Sequence, residues 1–434
     1  MENLTPIGVT DWRNQKQPFC IKDADRLQHI YVIGKTGTGK STLLQNMAIS
    51  DIQRGKGVCI IDPHGEICEN VLNYVPKERV KDVIYFDATN VDYAIAFNPL
   101  QNIKDDQQHL ALAGLIATFK KIWIDSWGPR MEYILRYALL SLMTFPKATL
   151  LDIQPLLTNY DFRKKVLSYC TNQQVDSFWH NEFDKYPPAL KVEAISPILN
   201  KTGLFNAITP LRNIVGQVTN RFELSDVMDN SKILICNLAK GKIGEDASTL
   251  LGSMLVNAIQ LTAIARTSQP EDARRPFYLY VDEMHSFISL SFADILAEAR
   301  KYGLSLFLTH QYIEQIDERI RSAIFGNVGT LISFRIGATD AEYLEKEFYP
   351  TFKKDDFINL PKYSMYLKLM IDGTMSRPFS SVALPLLTNS NSYKGKIINY
   401  SRNVYAKEKP IVEEDIFKKY QQSVLESKEK GLFN

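Results

Sequence analysis

The feature that most constrains this chain is Gly34-Lys35-Thr36-Gly37-Thr38-Gly39-Lys40-Ser41, which fits G-x-x-x-x-G-K-[ST] at every fixed position. The apolar, β-branched run His29-Ile30-Tyr31-Val32-Ile33 precedes it and reads as a buried strand. Thr42-Leu43-Leu44-Gln45-Asn46-Met47-Ala48-Ile49 follows, with apolar residues at helical spacing. Strand, glycine-rich turn and helix are the context in which this motif has physical meaning. The glycines let the backbone wrap round a polyphosphate with its N–H groups turned inward. The helix N-terminus adds partial positive charge. Lys40 is then expected to reach the β- and γ-phosphates, and the Ser41 hydroxyl to ligate Mg²⁺. A Gly/Lys-rich surface turn would not need these flanks. The stretch Gly34 to Thr42 reads as a nucleotide-binding site.

At 434 residues the chain is too long for one simple core and suggests two or three domains. Its net charge is only +2, so any nucleic-acid contact must come from a local basic patch. Cys20, Cys59, Cys68, Cys170 and Cys236 are scattered, with no C-x-x-C pair or zinc spacing. They read as reduced residues of a cytosolic protein. The N-terminus shows no basic region followed by an apolar core, so no signal peptide is expected. The longest apolar helical run, Thr249 to Ala265, is interrupted by Gly252, Ser253, Asn257 and Gln260. It reads as a buried helix of a soluble protein, without a membrane span.

Short apolar strands recur at Gly57 to Ile61 and Val83 to Asp87, separated by helical stretches. That alternation argues for an α/β fold with a mostly parallel sheet. From about Gln101 to Gln217 strand signals nearly vanish, and prolines punctuate helical runs such as Leu110 to Phe119 and Met131 to Met143. An all-α domain inserted into the α/β one is expected there. Trp123, Trp127, Phe178 and Trp179 sit among apolar helix positions and read as core, with nucleic-acid stacking the other reading. Strands resume at Lys232 to Leu238, Phe277 to Val281, Leu304 to Leu308 and Gly329 to Ile336, and a hairpin is expected round Asp372-Gly373. The expected organisation is 1–100 and 220–390 for the nucleotide-binding domain, 101–219 for the insert, and 391–434 for a polar tail with a helix from Glu413 to Ser423.

A phosphate loop needs a metal-side carboxylate and a group to activate water. The strand Phe277-Tyr278-Leu279-Tyr280-Val281 ends in Asp282-Glu283 and supplies both. Asp282 would hold Mg²⁺, directly or through water, and Glu283 would act as general base. A base beside the phosphates favours hydrolysis over transfer to a second substrate. Gln311, at the end of the next strand, would either contact the γ-phosphate and orient the water or merely cap a helix. Arg300 at a helix end reads on its own as a solvated charge.

Several stretches together resemble the HerA–FtsK superfamily of RecA-like ring motors, and within it the TraD/TraG-like type IV secretion coupling proteins. They are Ile33 to Thr42, Ile61-Asp62-Pro63-His64-Gly65-Glu66, Tyr280-Val281-Asp282-Glu283, and Ala299-Arg300-Lys301-Tyr302-Gly303-Leu304 with Thr309-His310-Gln311. Gly128 to Arg136 also looks like the start of the family's all-α domain, and Asn237 to Asp246 is similar to the loop after its next strand. The resemblance implies a RecA-like P-loop ATPase domain, a homo-hexamer with ATP and Mg²⁺ bound between protomers, and DNA threaded through a central pore. It places Arg300 as an arginine finger completing a neighbour's site, and Gln311 at the γ-phosphate. Coupling proteins usually carry N-terminal transmembrane helices, and HerA proteins an N-terminal β-barrel. The few tens of residues before the phosphate loop hold neither, so a bare cytoplasmic motor is expected, reaching a membrane only through secretion-channel or relaxase partners. The expected function is ATP-driven translocation of DNA or a DNA–protein conjugate, with Lys240 and Lys242 touching DNA phosphates or merely solvated. A pilus-assembly-like ATPase acting on protein and a weakly hydrolysing substrate adaptor are the alternatives.

Overall fold

The computed structural model describes residues 3–11, 15–290, 292–388 and 392–431. It divides into two compact units. The first comprises Met1–Phe86, Glu223–Ala239 and Thr262–Ser401, and the second Asp87–Phe222, Lys240–Leu261 and Arg402–Asn434.

The first unit is built on an eleven-stranded sheet. Its strands are β1 (Leu4–Thr10), β2 (Pro18–Lys22), β3 (Ile30–Ile33), β4 (Gly57–Asp62), β5 (Val83–Asp87), β6 (Ile233–Asn237), β7 (Phe277–Val281), β8 (Leu304–His310), β9 (Thr330–Ser333), β10 (Ser364–Lys368) and β11 (Phe379–Ala383). They lie in the order β2-β1-β11-β10-β9-β3-β8-β7-β4-β6-β5. The pairings from β9 through β3, β8, β7 and β4 to β6 are all parallel. Their buried, unbroken apolar runs are what a sheet covered on both faces requires. The other edge, β10, β11, β1 and β2, is antiparallel. β10 alternates buried and half-buried residues, the signature of a strand covered on one face only.

The helix after the phosphate loop, Lys40–Gln53, buries Leu43, Leu44, Met47, Ala48, Ile49 and Ile52. These pack with Val32, Ile60, Ile235 and Tyr280 in one core, whose burial is the main stabilising term of the unit. Beneath the sheet Arg26, 1% exposed, donates to both oxygens of Asp51 (2.6 and 2.8 Å) and to the Tyr280 hydroxyl (2.7 Å). The turn at Asp372-Gly373 has both residues at positive φ (51° and 76°), joining Met370–Ile371 to Thr374–Met375 as Asp-Gly hairpins do.

The second unit is helical. Trp179, Phe119, Phe183 and Phe205 are fully buried, and the Trp179 indole N–H donates to Ser141 (2.8 Å). Phe119 stacks on Trp123 with ring centroids 5.0 Å apart. Trp123, Phe178 and Trp179 are core residues, and Trp127 is half-buried. The unit also takes in chain from outside 101–219, through contacts that no local pattern reveals. Asn257, on helix Glu245–Ala265, donates to the Gly114 carbonyl (2.9 Å) and to Thr118 (2.8 Å). Of the stretch 391–434, the described residues 392–431 hold the expected helix inside a longer one, and a further helix before it. In chain order these are Lys394–Tyr405 and Lys409–Gly431. Within the second unit Ala406–Glu408 pairs with Tyr93–Ile95, Glu413 with Arg212 (2.7 Å), and Lys419 with Asp152 (2.5 Å). The apolar positions Val412 and Ile416, spaced at one helical turn, are the local signal for the second of these helices. Among the described residues one helix, Glu245–Ser268, is long and apolar enough to cross a membrane, and 67% of its most apolar window is buried.

Candidate active site

In a parallel sheet, ligands bind outside the carboxyl ends of the strands. Here β3 runs into the phosphate loop, β8 ends in Thr309-His310, β7 leads to Asp282-Glu283, and β4 ends in Asp62. The order β3-β8-β7-β4 therefore sets the loop, Gln311, the paired carboxylates and Asp62 side by side at one edge.

The loop is shaped by its backbone. Gly37 and Gly39 have φ of 74° and 131°, values that side chains other than glycine's rarely adopt. At Gly34 there is also no room, since a Cβ would sit 2.7 Å from that of Phe334. A Cβ on Gly39 would meet the Phe334 ring at 2.8 Å and Tyr363 at 3.2 Å. Lys35 N–H donates to the Arg335 carbonyl (2.8 Å) and Tyr363 N–H to the Thr38 carbonyl (2.9 Å). Phe334, Arg335 and Tyr363 thus hold the loop from the antiparallel side, a role no sequence motif announced. The following helix has no side-chain cap at Gly39, so its first N–H groups face outward as an anion site does. Lys40 donates to the carbonyls of Gly34 (2.5 Å) and Lys35 (3.2 Å). Burial pushes its pKa down, opposed by Glu283 and Asp282.

Asp282 is 4% exposed. Its pKa is raised to about 6, first by burial and then by Asp62 and Glu283, against the Thr309 hydrogen bond and Lys40. Its backbone N–H still extends the sheet by donating to the Ile61 carbonyl (3.1 Å). Glu283 leaves the strand in a left-handed conformation (φ 48°, ψ 54°), uncommon for a side-chain-bearing residue. The Gln311 amide links both halves of the site: its nitrogen donates to Glu283 Oε1 and its oxygen accepts from Thr36 (3.1 Å). The short helical turn after Gln311, Ile313–Gln315, has Tyr312 at its cap position, and the next helix, Glu318–Asn327, is capped by Asp317, so Gln311 caps neither. His285 Nδ1 lies 3.4 Å from Glu283 Oε2. His310 is buried beside Tyr31, and burial, with His285 next, lowers its pKa to about 3. It is therefore neutral near pH 7 and adds no cation beside the carboxylates.

Asp62 is spent on structure. Its oxygens accept from the N–H groups of His64 (2.8 Å) and Cys68 (3.2 Å), which pins the Asp-Pro-His-Gly turn. Gly65 (φ 85°) closes that turn so tightly that a Cβ would lie 2.6 Å from Asn237 Oδ1. Arg300 is exposed on the short helical turn Ala299–Tyr302. Its side chain makes no ion pair among the described residues. Lys242 is exposed and Lys240 half-buried on the short helix Lys240–Ile243.

The residues fit a Mg²⁺-nucleotide. The glycine cradle, the uncapped helix terminus and Lys40 suit a polyphosphate, while exposed Ser41 and buried Asp282 offer oxygen to a hard cation. Among the described residues no group of three or more His, Cys, Asp and Glu could hold a metal ion. Water and the phosphate oxygens of a bound nucleotide would complete the coordination, as is usual for Mg²⁺.

The family described as the type IV secretion-system coupling protein DNA-binding domain matches residues 18–347, well over half of the chain. A comparison with curated proteins found no match. Among solved structures, the unbound bacterial conjugative coupling protein TrwB is 18% identical, with a TM-score of 0.61 over 89% of this chain and 90% of that one. The plasmid coupling protein TrwB with ADP and Mg²⁺ is 17% identical, with a TM-score of 0.61 over 89% and 91%. VirB4 of Thermoanaerobacter pseudethanolicus is 16% identical, with a TM-score of 0.57 over 90% and 97%. At these identities the three likenesses show the fold, which is RecA-like with a helical domain. With the family match covering the phosphate loop, both carboxylates and Gln311, the chain belongs to the type IV secretion-system coupling protein family.

Proposed function

We propose that the chain works as a ring of identical copies, six as in the resemblance above, that hydrolyses ATP between neighbours and threads DNA, or DNA with attached protein. One observation carries the hydrolytic part. Gln311 joins Thr36 of the phosphate loop to Glu283, so the base and the phosphate cradle share one hydrogen-bonded frame. Lys40 and the loop N–H groups would hold the β- and γ-phosphates. Bound Mg²⁺ would neutralise charge that develops on the phosphoryl oxygens. Ser41 and Asp282 would hold that ion, and Glu283 would take the proton of the attacking water. Gln311 would orient that water from the γ-phosphate side.

The exposed, unpaired side chain of Arg300 supports its assignment as the finger that a neighbour's site receives. A cationic group completing a phosphoryl-transfer site in trans raises turnover by roughly 10³–10⁵. We place the protein in the cytoplasm, meeting the membrane through secretion-channel or relaxase partners.

A second reading that the same motifs allow is an assembly ATPase acting on protein. DNA separates the two. ATP turnover measured with and without single- and double-stranded DNA should rise with at least one form, and E283Q should abolish it while keeping nucleotide binding. Turnover indifferent to both forms would overturn DNA translocation, and an unimpaired E283Q would overturn the general base.

A further inference from the structure

The carboxylates that do the chemistry in this reading are not self-supporting. Asp282 is the first residue beyond β7, and Glu283 turns away in a left-handed conformation (φ 48°, ψ 54°). The neighbouring strand β8 pairs with β7 so that Leu308 lies opposite Val281 and Phe307 opposite Tyr280. Thr309 is therefore the next residue along, beside Asp282, and it is fully buried. Its hydroxyl donates to Asp282 Oδ1 (2.5 Å) and accepts from the Glu283 backbone N–H (3.2 Å). One oxygen thereby fixes the metal-side carboxylate and the backbone of the catalytic base.

The surrounding sequence sharpens the point. β8 reads Leu304-Ser305-Leu306-Phe307-Leu308-Thr309-His310 and is buried throughout. A β-branched residue in such a strand would ordinarily be valine or isoleucine, which pack as well and carry no polar atom. What threonine adds at 309 is the hydroxyl, and both of its hydrogen bonds go to the acidic pair. On the other side β8 pairs with the phosphate-loop strand, Thr309 lying opposite Val32. The hydroxyl therefore sits on the strand that separates the phosphate cradle from the carboxylates.

We propose that Thr309 is a positioning residue for ATP hydrolysis, holding Asp282 for Mg²⁺ and Glu283 for water through its single hydroxyl. This rests on the assignment of Asp282 and Glu283 above. Groups that orient a metal ligand from behind typically change metal affinity or activity by about 10–100-fold when removed.

The test compares T309V, which keeps the shape and loses the hydroxyl, with T309S, which keeps the hydroxyl. T309V should lower kcat by about 10–100-fold and raise the Mg²⁺ concentration for half-maximal turnover. Its affinity for nucleotide without Mg²⁺ should stay within twofold of the parent, since the phosphate cradle is untouched. T309S should restore kcat and Mg²⁺ dependence to within a few-fold. If T309V does not fold, T309C, with only a weak donor, takes its place in the same comparison. E283Q is run alongside. If E283Q is inactive and T309V matches the parent in kcat and Mg²⁺ dependence, the positioning role is overturned while the base assignment stands. If folded T309S is as impaired as T309V, side-chain packing accounts for the effect, and the proposal is equally overturned. An active E283Q would instead overturn the reading on which the proposal rests.

Discussion

Replacing Asp282 by Asn should make the nucleotide-free protein more stable while destroying its Mg²⁺-dependent activity. Burial, with Asp62 and Glu283 adding to it, lifts the Asp282 carboxyl from 3.8 to about 6. At about 1.4 kcal/mol per pH unit, that displacement amounts to about 3 kcal/mol. The sign follows from linkage. The folded chain binds this proton more tightly than the unfolded one, so stability falls as pH rises from about 4 to about 6 and the whole penalty is present above that. Asn keeps a carbonyl oxygen to accept from Thr309 and removes the charge. The variant's gain should thus be largest above pH 6, approaching about 3 kcal/mol, and should shrink toward pH 4. A two-unit chain need not unfold in one step, so hydrogen exchange at β4 and β7 amides is the suitable assay. Parent and variant are compared without nucleotide at each pH from 5 to 8. Protection at pH 7.5 that is no greater in the variant would refute the reasoning, as would a gain that does not shrink at pH 5. The destabilising charge would then be shown to be absent, and Asp282 to be already well solvated.

Other outcomes follow from the same geometry. Arg300→Ala subunits mixed with parent subunits should lower ATP turnover below the value proportional to the parent fraction. Full turnover by a strictly monomeric preparation would sink the finger in trans. Arg26→Met should cost roughly 3–5 kcal/mol, because it strips the doubly bonded partner from buried Asp51. Arg54, 17% exposed in its side chain and bonded to Asp51 through one nitrogen, should cost clearly less when changed to Met. Thermal unfolding of both variants that ranks them in the opposite order would show that Arg26 is not the main partner.

Much of the site could be read from the sequence because its signals are local. Gly34 to Ser41 encodes its own turn, since positive φ at Gly37 and Gly39 is a property of residue type. The strands that carry the loop, Asp282-Glu283 and Gln311 are short apolar runs that end in polar residues, and a parallel sheet aligns such ends. The apolar helical surroundings of Trp179 favour a core role over nucleic-acid stacking, and it is buried. The N-terminal strand β1 has no such local signal. Leu4–Thr10 mixes Pro and Gly with apolar residues, and it becomes a strand only through its pairing with β2 and β11.

The phosphate loop and the acidic pair are legible from spacing within a few residues, and the parallel sheet and helical insert from the succession of apolar strand and helix patterns. Three features emerge from the fold instead: Phe334 and Tyr363 press on the loop glycines, Gln311 spans Thr36 and Glu283, and one threonine hydroxyl serves both acids. So does the place of 240–261 and of the described residues from 402 on in the helical unit. These are contacts between residues far apart in the chain. They depend on strand order and close approach, which no local pattern of residue types encodes.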